Sequence, residues 1–224
     1  MDTPTRRTMT CEALEIRAHD EGNGRSLVGH AAVFGRDSLP IFGLFVERIA
    51  PGAFKRAIDE KQDVRALVNH EPGKVLGRTA AGTLTLAEDE TGLRFDVPDL
   101  PDTTYASDLA ENMKRGDVTQ ASFGFRVVAE EWVRGGAGEM DLRILKDVDL
   151  YDVSPVTYPA YPDTDAGMRC ADEDAEEAKA AHAAWVATRS QGDGPGAAAE
   201  ATGTPATGLA TAKARQRQAE AEQP

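Results

Sequence analysis

Apolar and polar residues alternate through much of the first 160 positions, and that two-residue period predicts a chain built mainly from short β-strands. Residues 12–18 (EALEIRA) alternate, DEGNGRS turns, and LVGHAAVFG resumes the alternation; the Asn-Gly pair inside that turn is a strong hairpin signal. Phe54, Ala57 and Ile58 recur instead at helical spacing just after Pro51, so a short helix is expected near 52–61. In VRALVNH (64–70), Val64, Ala66, Val68 and His70 share one face of an expected strand. Residues 75–100 then read as an antiparallel meander, with turns at Ala81-Gly82 and at Glu90-Thr91-Gly92.

One helix is strongly marked. In TTYASDLAENMKRGD, Tyr105, Leu109 and Met113 stand four apart, Thr103 or Thr104 serves as N-cap, Lys114 and Arg115 occupy the last turn, and Gly116 terminates it. The strand VTQASFGFRVV follows directly. A hairpin around a Gly-rich turn (EEWVRGGAGEMDLRIL) and a last strand (KDVDLYDVSPVTYPAYP) complete the series. Many short strands with two or three helices predict a mainly β, α+β fold, a closed or nearly closed antiparallel β-barrel with helices packed outside.

Composition divides the chain. Nearly all Phe, Tyr, Ile and Val precede residue 162, whereas 171–224 is Ala, Glu, Gly, Thr and Gln with a single Trp, too little apolar material to offset the ordering entropy of a packed fold. The expected organisation is a flexible stretch over 1–11, a folded domain over 12–165, and a low-complexity tail over 166–224. Within that tail DEDAEEAKAAHAAWVATR is expected as a lone amphipathic helix, with His182 and Trp185 on one side, followed by disorder.

The formal net charge of −13 argues against a nucleic-acid partner, which would call for clustered Lys and Arg. The longest apolar run, PIFGLFV, is too short to cross a bilayer, so no membrane partner is expected. Cys11 and Cys170 lack metal or redox spacing, and no HExxH or ligand-spaced cluster occurs, so neither a metal nor a cofactor is expected.

The candidate chemistry centres on Ser122, which lies between Ala121 and Phe123 on the more polar face of its strand. A serine needs a base to take its proton, and the base needs a third group to orient it. Four histidines are available. His19 adjoins a turn, His30 sits within a strand and His182 lies in the tail, which leaves His70, at the end of an apolar stripe, as the candidate base. Asp147, Asp149 and Asp152 are the candidate acids; Asp152 shares the parity of Val148 and Leu150, so it is the desolvated one if those two point inward. ASFGF is not the GxSxG elbow of α/β-hydrolases.

The order of the blocks GHAAVFG, ERIAPGAF, VNHEPGKVLGR, GLRFDVPDLPDTTYASDLAENMKRGDVTQASFGFRV and LYDVSPVTYPAYP resembles the HK97-type prohead serine proteases of tailed bacteriophages. The likeness covers about residues 12–165. It implies a maturation endopeptidase, enclosed in the procapsid within the host cytoplasm, that cleaves scaffold or the scaffolding segment of the major capsid protein and then itself, and is lost from the mature virion. It further implies a fold similar to the herpesvirus assembly proteases. Position by position, Ser122 in SFGF corresponds to the nucleophile and His70 in NHEP to the general base; the third position, commonly glutamate in that family, is Asp152 here, one methylene shorter. Arg134 and the GGAG turn are candidates for the oxyanion site. The competing reading is a noncatalytic barrel that binds capsid or scaffold proteins, and a homo-oligomer is compatible with either.

Overall fold

The computed structural model describes residues 5–9, 15–18, 25–38, 40–157 and 172–192. Two compact units divide the chain, Met1–Ala187 and Thr188–Pro224. The strands of the first unit are β1 (Thr5–Met9), β2 (Glu15–Ala18), β3 (Arg25–Val33), β4 (Phe45–Ile49), β5 (Arg65–Val68), β6 (Glu71–Arg78), β7 (Thr85–Glu88), β8 (Gly92–Val97), β9 (Gln120–Val133) and β10 (Asp141–Val156). Helices α1 (Lys55–Asp59) and α2 (Thr104–Arg115) lie between strands, and α3 spans Asp172–Gly192.

The mostly β composition with few helices is as expected, but closure into a barrel is not found. Among the described residues the ladders form two separate sheets, β1-β9-β10-β5-β6 with β4 also on β10, and β2-β3-β8-β7. None of the ladders among the described residues joins them. The expected meander over 75–100 is likewise divided, because β6 belongs to the first sheet and β7 to the second. The 3₁₀ turn Thr79–Ala81 and Gly82, in left-handed conformation, make that corner. It is tight enough that a Cβ on Gly77 would meet the Thr83 carbonyl oxygen at 2.5 Å, so only glycine fits there.

The core lies where the two sheets face each other. Leu27, Leu93, Phe95 and Val97 of the second sheet are buried in one cluster with Phe123, Phe125, Val148, Leu150 and Val153 of the first. Phe54, just ahead of α1, meets Phe123 edge-on with ring centroids 5.5 Å apart, and Phe123 stacks on Phe125 at 4.7 Å. Helix α2 buries Ala106, Leu109 and Ala110 and ends as its sequence predicts, with Gly116 at φ 83° and the Asp117 N–H donating to the Asn112 carbonyl. Residues 5–9, inside the stretch expected to be flexible, form β1 and pair antiparallel with β9. Of the turn expected over 20–26, residues 20–24 lie outside the described residues, as do Cys11, His19 and Cys170, while Arg25 and Ser26 open β3. Among the described residues no helix is long and apolar enough to cross a membrane.

The tail helix is not a lone one. In α3, Ala178 is buried with Ile41 and Phe45, while His182 stacks on Phe45 at 5.5 Å and Trp185 on Trp132 at 5.4 Å. Those partners come from distant strands, so no local pattern in the helix announces them.

Candidate active site

Strands β9 and β10 pair antiparallel along most of their lengths, and residues directly opposite one another project to the same face. Leu150 faces Phe125 and Val153 faces Phe123, four side chains of the core. Asp152 faces Gly124 and Ser154 faces Ser122. Leu150 and Asp152 stand two apart, which in a regular strand would put both on one face, yet here they lie on opposite faces. The cause is a register shift between them, a β-bulge that leaves Tyr151 without an opposing residue. Asp152 is therefore brought to the Ser122 face, and the parity that placed it with Val148 and Leu150 is corrected. Nor is that face wet: Ser122 and Ser154 are 0% exposed and Asp152 is 4% exposed.

His70 reaches the same place from a different local structure. It is not the end residue of a strand, as the alternation suggested, but half of the two-residue turn between β5 and β6, in which Val68 pairs with Glu71. Asn69 and His70 have φ of 52° and 57°, the positive values that a type I′ hairpin turn requires. Asn and His are among the non-glycine residues that best accept this conformation. Asn69 ties the turn to the end of β10: its N–H donates to the Pro155 carbonyl at 2.9 Å, its Oδ1 accepts from the Thr157 N–H at 2.8 Å, and its Nδ2 donates to Thr157 Oγ1 at 3.2 Å.

The three side chains meet in a line. His70 Nδ1 lies 2.5 Å from Asp152 Oδ1 and His70 Nε2 lies 2.7 Å from Ser122 Oγ. An ionised carboxylate only accepts hydrogen bonds, so the tautomer that satisfies both contacts carries its proton on Nδ1 and leaves Nε2 to accept from the serine hydroxyl. Ser154 Oγ also donates to Asp152 Oδ1 at 2.7 Å, which supplies the buried carboxylate with a second donor. Ser154 and Asn69 are the residues that sequence reasoning missed. Ser154 stands two residues beyond Asp152, and its spacing becomes meaningful only once the bulge is known.

The other candidates lie elsewhere. Asp147 Oδ2 and Asp149 Oδ1 accept from Arg56 at 2.8 and 2.6 Å, and Asp149 also accepts from Arg126 and Gln62. Burial opposes ionisation of Asp149, but hydrogen bonds from Arg126, Arg56 and Gln62 outweigh it and lower its pKa to about 2. His30 Nε2 pairs with Asp89 at 2.7 Å, and His182 Nε2 with Asp141 at 2.9 Å. Arg134 and the GGAG turn connect β9 to β10 at the end away from Ser122, about 40 Å or more along the strand at roughly 3.3 Å per residue. They cannot meet an oxyanion at Ser122.

A buried hydroxyl, imidazole and carboxylate joined in series constitute the arrangement that activates serine for acyl transfer. The family model of the caudovirus prohead serine protease matches residues 12–179, and the chain belongs to that family. The prohead protease of Enterobacteria phage HK97 is 29% identical over 157 residues, a match that covers 69% of this chain and 64% of the relative, just under two thirds of its length. The solved structure of the bacteriophage T4 capsid assembly protease superposes with a TM-score of 0.45 at 12% identity, covering 70% of this chain and 98% of that one.

Proposed function

We propose that this protein is a serine endopeptidase of phage capsid maturation in which Ser122 is the nucleophile, His70 the general base and Asp152 the acid that orients it. The observation that carries the reading is the unbroken series of two short hydrogen bonds from Asp152 through His70 to Ser122. His70 Nε2 takes the hydroxyl proton as Ser122 Oγ bonds to the scissile carbonyl carbon. The C–N bond then breaks, and the proton passes to the leaving amine. Water, deprotonated by the same nitrogen, adds to the acyl-enzyme carbonyl, and the ester breaks with the proton returned to Ser122. Asp152 stabilises the imidazolium formed on the way.

The substrates on this reading are scaffold or the scaffolding segment of the major capsid protein, met inside the procapsid, and the chain itself, including the tail beyond α3. Membership of the prohead protease family supports this substrate class. Co-expression with the capsid and scaffold proteins of the same phage provides the test, read by mass spectrometry of the products. Shortened capsid or scaffold chains are expected with the wild type and intact ones with Ser122→Ala; intact chains in both, beside assembled shells, would favour the noncatalytic binding module.

A further inference from the structure

The Ser122 hydroxyl is 0% exposed and the His70 side chain only 13% exposed. A scissile carbonyl must come within bonding distance of that oxygen, so something beside it has to give way. Strand β9 has two neighbours. On one side lies β10, fixed beyond Asp152 by parallel pairing to β5, with Asp152 opposite Arg65 and Val153 opposite Ala66. On the other side lies β1, five residues long, the terminal strand of its sheet. It pairs antiparallel with the segment that carries the nucleophile: Arg6 stands opposite Gly124, Arg7 opposite Phe123, Thr8 opposite Ser122 and Met9 opposite Ala121.

We infer that β1 is an intramolecular strand occupying the edge of β9 where an extended substrate segment pairs, so that the site is closed in this state and opens when residues 5–9 peel away. This rests on the reading of Ser122 as nucleophile, which it deepens by naming how substrate is held. An exposed strand edge offers a row of N–H and C=O groups that any extended backbone satisfies, and side chains then select among sequences. The geometry already presents one polypeptide in that mode, with a residue directly opposite the serine. Displacement is within reach because, among the described residues, β1 pairs along one edge only, whereas extracting β10 would break ladders along both its edges. A protease that must stay quiet until it is enclosed with its substrate gains from such a strand, since a high local concentration of competing segments favours exchange.

Two measurements on the full-length chain test this. In a Ser122→Ala background, binding of a fluorescent peptide of residues 3–10 (TPTRRTMT) is compared with and without Arg7→Pro plus Thr8→Pro. Adjacent strand residues direct their N–H groups to opposite sides, so one of the two prolines must remove a ladder donor. The proline chain is expected to bind the peptide at least tenfold more tightly than its parent, and equal or absent binding overturns the inference. With Ser122 retained, labelling by a small fluorophosphonate is expected to be at least tenfold faster in the proline chain and to slow again when the peptide is added. Slower labelling than wild type, in a chain with unchanged melting temperature, would make β1 a required part of the site and overturn the inference. Peptide binding as expected with Ser122 unlabelled in every chain would uphold the edge and remove the nucleophile assignment instead.

Discussion

Two buried polar clusters sit near opposite ends of the same β9–β10 pair, and they are built on different principles. At the far end Arg143, 3% exposed, pairs with Glu130 and with Glu47, itself 4% exposed, while its guanidinium lies 5.6 Å from the centre of the Trp132 ring. Trp132 in turn stacks against Trp185 of α3. There the guanidinium is held on several sides by two carboxylates and an indole ring, and the cluster ties strands and helix together. At the near end the groups run in one line, carboxylate to imidazole to hydroxyl, with Ser154 and Asn69 steadying the first two. The difference lies in where the proton can go: Arg143 has nowhere to send one, whereas in the role proposed above the imidazole accepts from Ser122 and releases to a leaving group.

Substitutions at the two ends should separate activity from stability. Asp152→Asn keeps the shape but replaces an acceptor-only carboxylate by an amide that can hold His70 in the wrong tautomer. Peptide-bond turnover should fall by about 10⁴-fold, with the urea midpoint little changed; a loss below tenfold would mean that Asp152 does not orient His70. Arg143→Met should do the reverse, costing about 3 kcal/mol of stability because the buried Glu47 and the half-buried Glu130 lose the guanidinium they share. Turnover per folded molecule should stay near wild type, as checked by urea unfolding beside active-site titration.

Asn69→Ala removes the two side-chain hydrogen bonds to Thr157, keeps the backbone bond to Pro155, and imposes a positive φ on alanine. A roughly tenfold drop in kcat is expected, about 1.4 kcal/mol at the barrier. Asn69→Gly, which accepts the backbone but lacks the clamp, should recover part of it if conformation matters and none if the side-chain bonds alone count. The smallest effect concerns Asp149. Its folded pKa of about 2 lies below the ordinary 3.8, so its ionised form stabilises the fold above about pH 4 and that contribution is lost as pH falls toward 2. Asp149→Asn should be less stable than wild type at neutral pH, with the difference in urea midpoint shrinking between pH 4 and 2 and no change in the activity ratio at pH 7.

The same comparison shows what the sequence could convey. Ser122, His70 and Asp152 were readable as residue types in ordered blocks, and α2 was readable in full because its periodicity and its glycine stop are local. The geometry that unites the three was not. A bulge at Tyr151 reverses the parity that a regular strand would assign to Asp152, and two consecutive positive-φ residues lift His70 off the strand it was read into. Pairings between distant segments were equally hidden: β1 on β9, β4 and β5 parallel to β10, and α3 on Trp132 each depend on partners dozens of residues away. The corner at Gly77 and Thr83, which divides the strands between two sheets where a closed or nearly closed barrel was expected, leaves only a Gly and a turn in the sequence.

On the proposed reading, the line from Asp152 to Ser122 cuts peptide bonds. Intact-mass spectrometry over time on concentrated wild type, Ser122→Ala and His70→Ala tests it most directly. The account predicts defined fragments from the wild type alone, and from Ser122→Ala chains only when a trace of wild type is added. Fragments of the same masses appearing at the same rate in Ser122→Ala by itself would contradict it.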